Sequence, residues 1–176
     1  AINVGAFVGG GTIRQFGKGY APGPASAAEL AAMREALDDA MRDGAIGLAT
    51  ALIYPPGVYT DTEELVALGE VVARHRGVHA THVRSEGPKL LEGIDEAVSI
   101  ARRTGVATEI FHLKAIGQAH WGKMADAIAR IDAARAEGLD VTADMYPYPA
   151  AGTGLAASLP PWAEADGRLW ENLRDP

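Results

Sequence analysis

The sequence predicts an α/β fold with about five strand–helix units and parallel strands, which corresponds to part of a (β/α)8 barrel or to an open sheet. Short apolar runs of β-forming residues alternate with longer runs whose apolar residues recur at helical spacing. The later strand candidates begin near residues 46, 78, 106 and 139, so one unit takes roughly 30 residues. No segment has the pattern of a hairpin. Alternating units of this kind require a parallel sheet with right-handed crossovers.

The elements follow in order along the chain. Strands are predicted over residues 3–8, 46–51, 78–83, 106–113 and 139–145. The Gly/Pro-rich stretch 9–25 is interpreted as a loop that opens with a glycine turn. Two helices begin with capping signals, Ser26 with Glu29 and Asp61 with Glu64. Glycines are expected to end four helices, at Gly44, Gly77, Gly105 and Gly138. The last of these four helices is predicted over roughly 122–137, and a short further helix over 169–173.

Composition excludes several classes of protein. The chain is 48% hydrophobic and 22% charged, which is typical of a globular domain, and its formal net charge of −7 comes with no cluster of Lys or Arg. Because phosphate binding needs a basic face, we expect no nucleic-acid partner. No apolar run approaches the roughly 20 residues that cross a bilayer, so we expect no membrane partner. The absence of Cys excludes disulfides and is compatible with a cytoplasmic protein.

Two histidines lie at the ends of neighbouring predicted strands. His82 and His112 are one strand–helix unit apart, so they are expected at equivalent heights on strands about 4.8 Å apart. Two imidazoles at that spacing can share a Zn²⁺ ion, although a hydrogen-bonded pair lining a barrel mouth is the alternative. Two ligands do not complete a zinc site. His75 and His79 are predicted to be surface residues at the opposite end of the strand, and His120 to be a solvated loop residue.

Charged and aromatic residues accompany both histidines. Lys114 and Arg84 each follow a histidine by two residues and can bind a substrate carboxylate. The alternative is an ion pair at the rim, with Glu86 or Asp144 as partner. Two interpretations are also open for Tyr54 and Tyr146. Each precedes a proline, which holds the tyrosine backbone extended. Those tyrosines form either a rigid pocket wall or ordinary aromatic packing.

Six stretches of the sequence, in order, resemble the N-acyl-D-amino-acid deacylases (D-aminoacylases) of the amidohydrolase superfamily. They are NV-A-FVGGGT-R (3–14), GAIGLATALIYPPG (44–57), ATHVRSEG (80–87), FHLKAIG (111–117), WGK (121–123) and DVTADMYPYPAAGTGL…LPPW (140–162). The resemblance covers nearly the whole chain. It implies that the chain supplies strands three to seven of a (β/α)8 barrel, and that it is an excerpt of something longer.

The resemblance also implies roles for particular residues. His82 and His112 match two metal ligands of the family, on its fifth and sixth strands. Tyr54, Lys114 and Tyr146 match residues that line its substrate pocket. The implied cofactor is Zn²⁺, one ion or two, and the implied substrate is a small N-acyl amino acid whose amide bond is hydrolysed. The remaining ligands and the catalytic Asp are expected outside this chain. No catalytic residue is therefore predicted within it.

Two positions depart from the family pattern, and two rival functions stay open. Relatives commonly have His where this chain has Gly10, and often Ser where it has Gly152. One rival is a cyclic amidase of the dihydroorotase or hydantoinase type, although the predicted strand 46–51 lacks the lysine that such enzymes carboxylate. The other is a binding domain without catalysis. We expect the isolated chain to be inactive, to hold zinc weakly if at all, and to self-associate through open strand edges.

Overall fold

Five parallel strands form one sheet in the computed structural model, which describes residues 2–174. The strands are β1 (Val8–Gly9), β2 (Gly47–Ala51), β3 (Val78–His82), β4 (Ala107–Ile110) and β5 (Val141–Ala143). The helices are α1 (Gly10–Gly17), α2 (Ala27–Arg42), α3 (Thr62–Arg74), α4 (Leu90–Thr104), α5 (Met124–Ala136) and α6 (Leu169–Asn172). Short 3-10 helices lie at Gly57–Tyr59, Gln118–Lys123, Leu155–Ser158 and Pro161–Gly167.

The order of the strands in the sheet decides between the two predicted architectures, a (β/α) barrel and an open, doubly wound sheet. The strands lie side by side in chain order, β1 to β5, and every neighbouring pair is parallel. A doubly wound sheet reverses its strand order near the middle, so that helices cover both faces. Here the order never reverses, and consecutive helices from α2 to α5 pack against one another. The sheet is therefore wound in the manner of a (β/α) barrel, which confirms the predicted α/β class.

The two faces of the sheet carry different side chains. On the face toward the helices, one row across β2 to β5 reads Leu48, His79, Thr108 and Val141. The next row reads Ala49, Ala80, Glu109 and Thr142, and it belongs to the opposite, inner face. Deep inner positions of a barrel are usually branched and apolar. This inner face has small and polar residues instead.

The helices are placed by caps and by two apolar clusters. The Ser26 hydroxyl accepts from the Glu29 amide while the Glu29 carboxylate accepts from the Ser26 amide, which is the predicted capping box. Asp61 caps α3 through the Glu64 amide, also as predicted. One cluster packs α2 and α3 on β2, and the other packs α4 and α5 on β4 and β5. Among the described residues, no helix has the length and hydropathy to span a membrane.

The amino-terminal part of the chain corrects two predictions. The strand predicted over 3–8 is reduced to Val8–Gly9, because only this end of the segment runs beside β2. The loop predicted over 9–25 is wrong in its first half, where α1 begins at Gly10. The glycines there allow close packing. A Cβ at Gly10 would lie 2.8 Å from Thr50 Cγ2, and a Cβ at Gly17 would lie 2.4 Å from Met33 Cγ.

Three boundaries later in the chain also differ from prediction. The strand predicted over 106–113 ends at Ile110, since His112 has a left-handed backbone with φ 43°. The strand predicted over 139–145 is Val141–Ala143. At the end of α3 the left-handed residue is Arg76, with φ 56°, in place of Gly77. A Cβ at Gly77 would lie 2.6 Å from the end of the Met41 side chain, so this glycine too serves close packing.

Candidate metal centre and pocket

His82 and His112 meet at the carboxyl edge of the sheet. His82 is the last residue of β3, and its Nδ1 lies 3.1 Å from Nε2 of His112. The predicted equal height is wrong by one residue, because the register pairs Thr81 with Ile110 and so places Phe111 beside His82. The left-handed backbone at His112 turns its imidazole back toward β3. The Asp144 carboxylate accepts from the His112 amide and fixes this turn to the end of β5.

A buried carboxylate completes the cluster. Glu86 is 7% exposed, and its Oε1 lies 3.1 Å from His112 Nδ1 and 3.7 Å from His82 Nε2. The ligand atoms of these three residues all lie within 4.8 Å of one another, which is close enough to surround one metal ion. His82 Nε2 is also a buried nitrogen without a hydrogen-bond partner. The donor set of two imidazoles and a carboxylate is one that Zn²⁺ accepts.

Electrostatics keep His82 in the form that binds metal. Burial lowers the pKa of His82 below its usual value, because the charged imidazolium is disfavoured away from water. The negative charge of Glu86 opposes this shift, and the positive charge of Lys114 adds to it. The imidazole of His82 is therefore neutral near pH 7, and a neutral imidazole has the lone pair that a metal requires.

The three residues predicted to line a pocket do line one together. Tyr54, Lys114 and Tyr146 surround a pocket of about 390 Å³ that opens onto His82 and His112. Its remaining walls come mostly from the segment after β5, namely Tyr148, Ala150, Ala151, Gly152 and Thr153, together with Ile53, Glu86 and Ile116. The chain therefore gathers its aromatic and cationic candidates around the histidine pair.

The Lys114 ammonium makes one of the two predicted rim ion pairs. It lies 2.5 Å from Glu86 Oε1, 2.9 Å from His112 Nδ1 and 3.0 Å from the His112 carbonyl. The ammonium also lies 5.4 Å from the centre of the Tyr146 ring. Asp144, the other predicted partner, binds the backbone of His112 instead. The Lys114 ammonium thus stands between the cluster and the pocket.

The tyrosines frame the pocket from two sides. The Tyr54 hydroxyl shares a hydrogen bond of 2.8 Å with the Thr153 hydroxyl, and the Tyr54 ring lies against His82 at 5.8 Å. This bond ties the segment after β5 to the loop after β2. Tyr146 stacks on Tyr148, and its hydroxyl is buried without a hydrogen-bond partner. A buried phenol without a partner has an unused donor at the pocket.

Arg84 lies outside this pocket, which corrects the prediction that it matches Lys114. Its guanidinium binds the Glu96 carboxylate at 3.0 Å and the carbonyls of Thr60 and Val58. Side chains alternate along an extended chain, but the chain bends after β3, and Arg84 turns toward α4. Its side chain therefore holds the loop before α3 in place.

The other three histidines have different environments. His75 caps the carboxyl end of α3 and binds Asp38 at 2.8 Å, near the predicted location. His120 is partly exposed in a 3-10 helix outside the cluster. The prediction for His79 is wrong, because it is 1% exposed on the helix-covered face of β3. Its Nε2 lies 3.1 Å from the Thr50 hydroxyl, which in turn donates to Thr81.

Two residues of the site were missed in the sequence. The sequence predicts Glu86 only as an ion-pair partner at the rim, although its position four residues after His82 is a usable signal. Thr153 follows the departure at Gly152 and places a hydroxyl in the pocket one residue later. No local pattern marks Thr153, because its partner Tyr54 is 99 residues away in the chain.

Known proteins similar to this chain carry the predicted family name. An N-acyl-D-glutamate deacylase and a D-aminoacylase, both from Alcaligenes xylosoxydans xylosoxydans, are 42% and 36% identical to it over 154 and 155 residues. Each match covers 88% of this chain and 32% of the relative. No protein-family model matches the chain. The predicted resemblance to the N-acyl-D-amino-acid deacylases is confirmed, and the chain spans about a third of the length of these relatives.

Solved structures give the same result for the fold. An N-acyl-D-glutamate deacylase from Bordetella bronchiseptica, crystallised with zinc and a phosphonate inhibitor, is 37% identical with a TM-score of 0.81. A D-aminoacylase structure described as defining a novel subset of amidohydrolases is 36% identical with a TM-score of 0.80. Each match covers 84% of this chain and 31% of the other. The chain thus has the fold of part of an amidohydrolase barrel, and a cyclic amidase is not favoured.

Proposed function

We propose that this chain forms part of a metal-dependent amidohydrolase that hydrolyses the amide bond of N-acyl-D-amino acids. The observation that carries the proposal is the meeting of two imidazole nitrogens, 3.1 Å apart, at a pocket that also contains an ammonium and two phenols. Relatives named as deacylases of N-acyl-D-amino acids match 88% of the chain, which supports the same conclusion. The proposal concerns the whole protein in which this chain works.

The geometry of the histidine pair supports a zinc ion as the metal. Two nitrogens bound to one tetrahedral zinc at 2.0–2.1 Å stand about 3.3 Å apart, close to the observed separation. We propose that His82 and His112 hold Zn²⁺. When bound there, zinc would polarise the amide carbonyl and lower the pKa of a water molecule. A D-aminoacylase of known structure has a binuclear metal centre, and metal analysis of the complete protein would count the ions here.

The pocket residues suit the two ends of an N-acyl amino acid. We propose that the Lys114 ammonium binds the substrate carboxylate, since it is a cation at the boundary of the pocket. The unused hydroxyl of Tyr146 can donate to the carbonyl oxygen as negative charge develops on it. Tyr54, fixed by its bond to Thr153, forms the opposite wall. Binding at three points orients the amide toward the histidine pair.

Hydrolysis would add water across the amide bond. The water oxygen bonds to the acyl carbon, the C–N bond breaks, and the amine nitrogen takes up a proton, which gives a carboxylic acid and a free amino acid. A positioned carboxylate is needed to accept and return that proton. By resemblance, this group is an Asp outside the chain. A cytoplasmic location remains a prediction from composition alone.

Substitution of the two histidines tests the proposal. In the complete protein, His82→Ala and His112→Ala should each abolish retention of zinc after dialysis and lower kcat/KM for an N-acetyl-D-amino acid at least about 1,000-fold, as expected for loss of a metal's catalysis. His120→Ala is the matched control, because it removes a nearby imidazole outside the cluster. Full zinc content and activity in the His82 and His112 variants would refute the proposal. Turnover of the L-enantiomer alone would refute the proposed chirality.

A further inference from the structure

We propose that Glu86 is a positioning residue for the metal centre, which accepts the Nδ1 proton of His112 when the metal is bound and holds the Lys114 ammonium, and that it is not itself a metal ligand. This inference rests on the proposed function, because it assumes that His82 and His112 bind the metal. Glu86 is the least exposed of the three clustered residues. Its Oε1 contacts both the His112 ring and the Lys114 ammonium. One carboxylate thereby links a metal ligand to a substrate-binding cation.

The backbone around Glu86 is held in place from both sides. The Glu86 carbonyl accepts from the Ile116 amide at 2.7 Å, which joins the loop after β3 to the loop after β4. The Ser85 hydroxyl accepts from the amides of Gly87 and Lys89, both at 3.2 Å, and closes the turn before α4. A carboxylate on a backbone fixed in this way can hold its partners in a defined orientation.

The Glu86 carboxylate already has a cationic partner, the Lys114 ammonium. This ammonium lies 2.5 Å from Glu86 Oε1 and 2.9 Å from His112 Nδ1, on the same side of the His112 ring as the carboxylate. A divalent ion bound by Glu86 and His112 Nδ1 would face this ammonium at short range, where like charges repel strongly. The opposite edge of the His112 ring, at Nε2, faces Nδ1 of His82 at 3.1 Å and points away from this ammonium. The metal is therefore favoured at Nε2 of His112.

The same arrangement provides an acceptor for the ring proton of His112 when a metal is bound. In the structure His112 Nδ1 accepts from the Lys114 ammonium at 2.9 Å, and Glu86 Oε1 lies 3.1 Å from the same nitrogen. A metal bound at Nε2, which faces Nδ1 of His82, would take the lone pair there and leave the ring proton on Nδ1, where Glu86 Oε1 is an acceptor within reach. A carboxylate that binds the far nitrogen of a ligand histidine is a common feature of metal sites, where it orients the ring and makes it more basic. Glu86 fits that description.

Variants at position 86 give the first test. In the complete protein, Glu86→Gln should weaken zinc binding about 10- to 100-fold, the effect usual for such an outer partner. It should also raise KM, because Lys114 loses the group that holds it. Glu86→Asp keeps the charge but withdraws it by one methylene, so its zinc affinity should lie between those of the wild type and Glu86→Gln. Zinc affinity of Glu86→Gln within twofold of the wild type would overturn the inference.

The spectrum of bound Co²⁺ distinguishes a positioning residue from a ligand. With the protein loaded with Co²⁺ in place of zinc, Glu86→Gln should keep the d–d band positions of the wild type, because the set of ligand atoms is unchanged. Shifted bands would show that Glu86 binds the metal directly, and would overturn the inference. Should Glu86→Gln fail to fold, Glu86→Asp carries both measurements, and wild-type zinc affinity in that variant would equally overturn it.

Two further variants separate the proposed role of Glu86 from a general effect on stability and from loss of the Lys114 cation. Glu96→Gln is the matched control, because it removes a carboxylate paired with Arg84 on the far side of the same loop, and it should leave zinc affinity unchanged. Lys114→Met should raise KM without weakening zinc binding, since it removes only the cation. Equal zinc loss in Glu96→Gln and Glu86→Gln would reduce the role of Glu86 to general stability. A wild type that binds no metal would overturn the proposed function as well, whereas a metal-binding wild type with an indifferent Glu86 overturns only this inference.

Discussion

His79 is a buried residue that makes the stability of the fold depend on pH. Its imidazole lies among the helix-facing side chains, beside Leu48 and Thr108, and only Nε2 has a partner. Because the Thr50 hydroxyl donates to Thr81, it accepts from His79, and the proton of the neutral ring is on Nε2. Burial lowers the pKa of His79 to about 4, against a weaker opposing effect of the Glu96 charge.

This shift predicts a loss of stability in acid. The folded pKa of about 4 lies below the ordinary value of 6.5, so the unfolded chain takes up a proton first as pH falls. The contribution of His79 to the free energy of unfolding is complete above about pH 6.5 and falls by roughly 3 kcal/mol by pH 4, at 1.36 kcal/mol per pKa unit. Urea unfolding at several pH values should show a shallower acid decline in His79→Gln. His120→Gln, which keeps the buried imidazole, is the control, and an equal decline in all three proteins would contradict the assignment.

The left-handed backbone at His112 predicts that a glycine variant is more stable than an alanine variant. Its φ of 43° lies in the left-handed region, which costs an L-residue roughly 1–2 kcal/mol and glycine nearly nothing. His112→Ala and His112→Gly both remove the imidazole, so the difference between them reports the backbone. The glycine variant should unfold with a free energy higher by about 1 kcal/mol, although glycine normally destabilises a protein relative to alanine. Urea unfolding measures the difference, and a more stable alanine variant would contradict it.

At the scale of elements, the sequence predicts what local chemistry determines. Helices α2 and α3 follow from Ser26 and Asp61, because a capping side chain binds an amide only three residues away. Helix α1 could not be predicted, because its glycines serve packing against Thr50 and Met33, which are distant in the chain. The site divides in the same way. The spacing of strand ends indicates His82 and His112, whereas the role of Glu86 depends on where Lys114 lies in three dimensions.

The contribution of the α2 capping box to the stability of the protein can be measured. Ser26→Ala removes the acceptor for the Glu29 amide and leaves one of the first amides of the helix without its partner. The expected loss is about 1 kcal/mol in the free energy of unfolding. Ser158→Ala, at an exposed serine, is the control and should change stability by less than about 0.5 kcal/mol. Chemical denaturation followed by circular dichroism compares them, and equal losses would contradict the role of the cap.

At the scale of the whole molecule, the sheet has two edges among the described residues. β1 and β5 each pair with one neighbour only. Apolar side chains lie exposed near these edges, including Phe7 and Ile46 beside β1 and Met145 after β5. The 176-residue chain in isolation is therefore expected to self-associate through its edges and inner face. Sedimentation velocity over a dilution series would show this as a rise in mass with concentration, and a constant monomer mass would contradict it.

The isolated chain is also expected to lack activity. It offers two imidazoles for the proposed metal, whereas zinc in a catalytic site usually has three protein ligands. Zinc titration of the 176-residue chain should give weak binding, and an assay with an N-acetyl-D-amino acid should give no turnover. Adding the His82→Ala variant as a control separates weak binding at the pair from nonspecific binding. Tight stoichiometric zinc with turnover would contradict the expectation.

The position of the cluster along the chain affects when it can form. His82, Glu86, His112 and Lys114 all come from the end of β3, the loop after it and the loop after β4, with only α4 and β4 between the two halves. Loop closure over so short a stretch has a small entropic cost. During synthesis from the amino terminus, both imidazoles emerge from the ribosome together with β3 and β4, ahead of β5. The nascent chain can thus bring the two proposed ligands together before the segment after β5, which forms much of the pocket wall, has emerged.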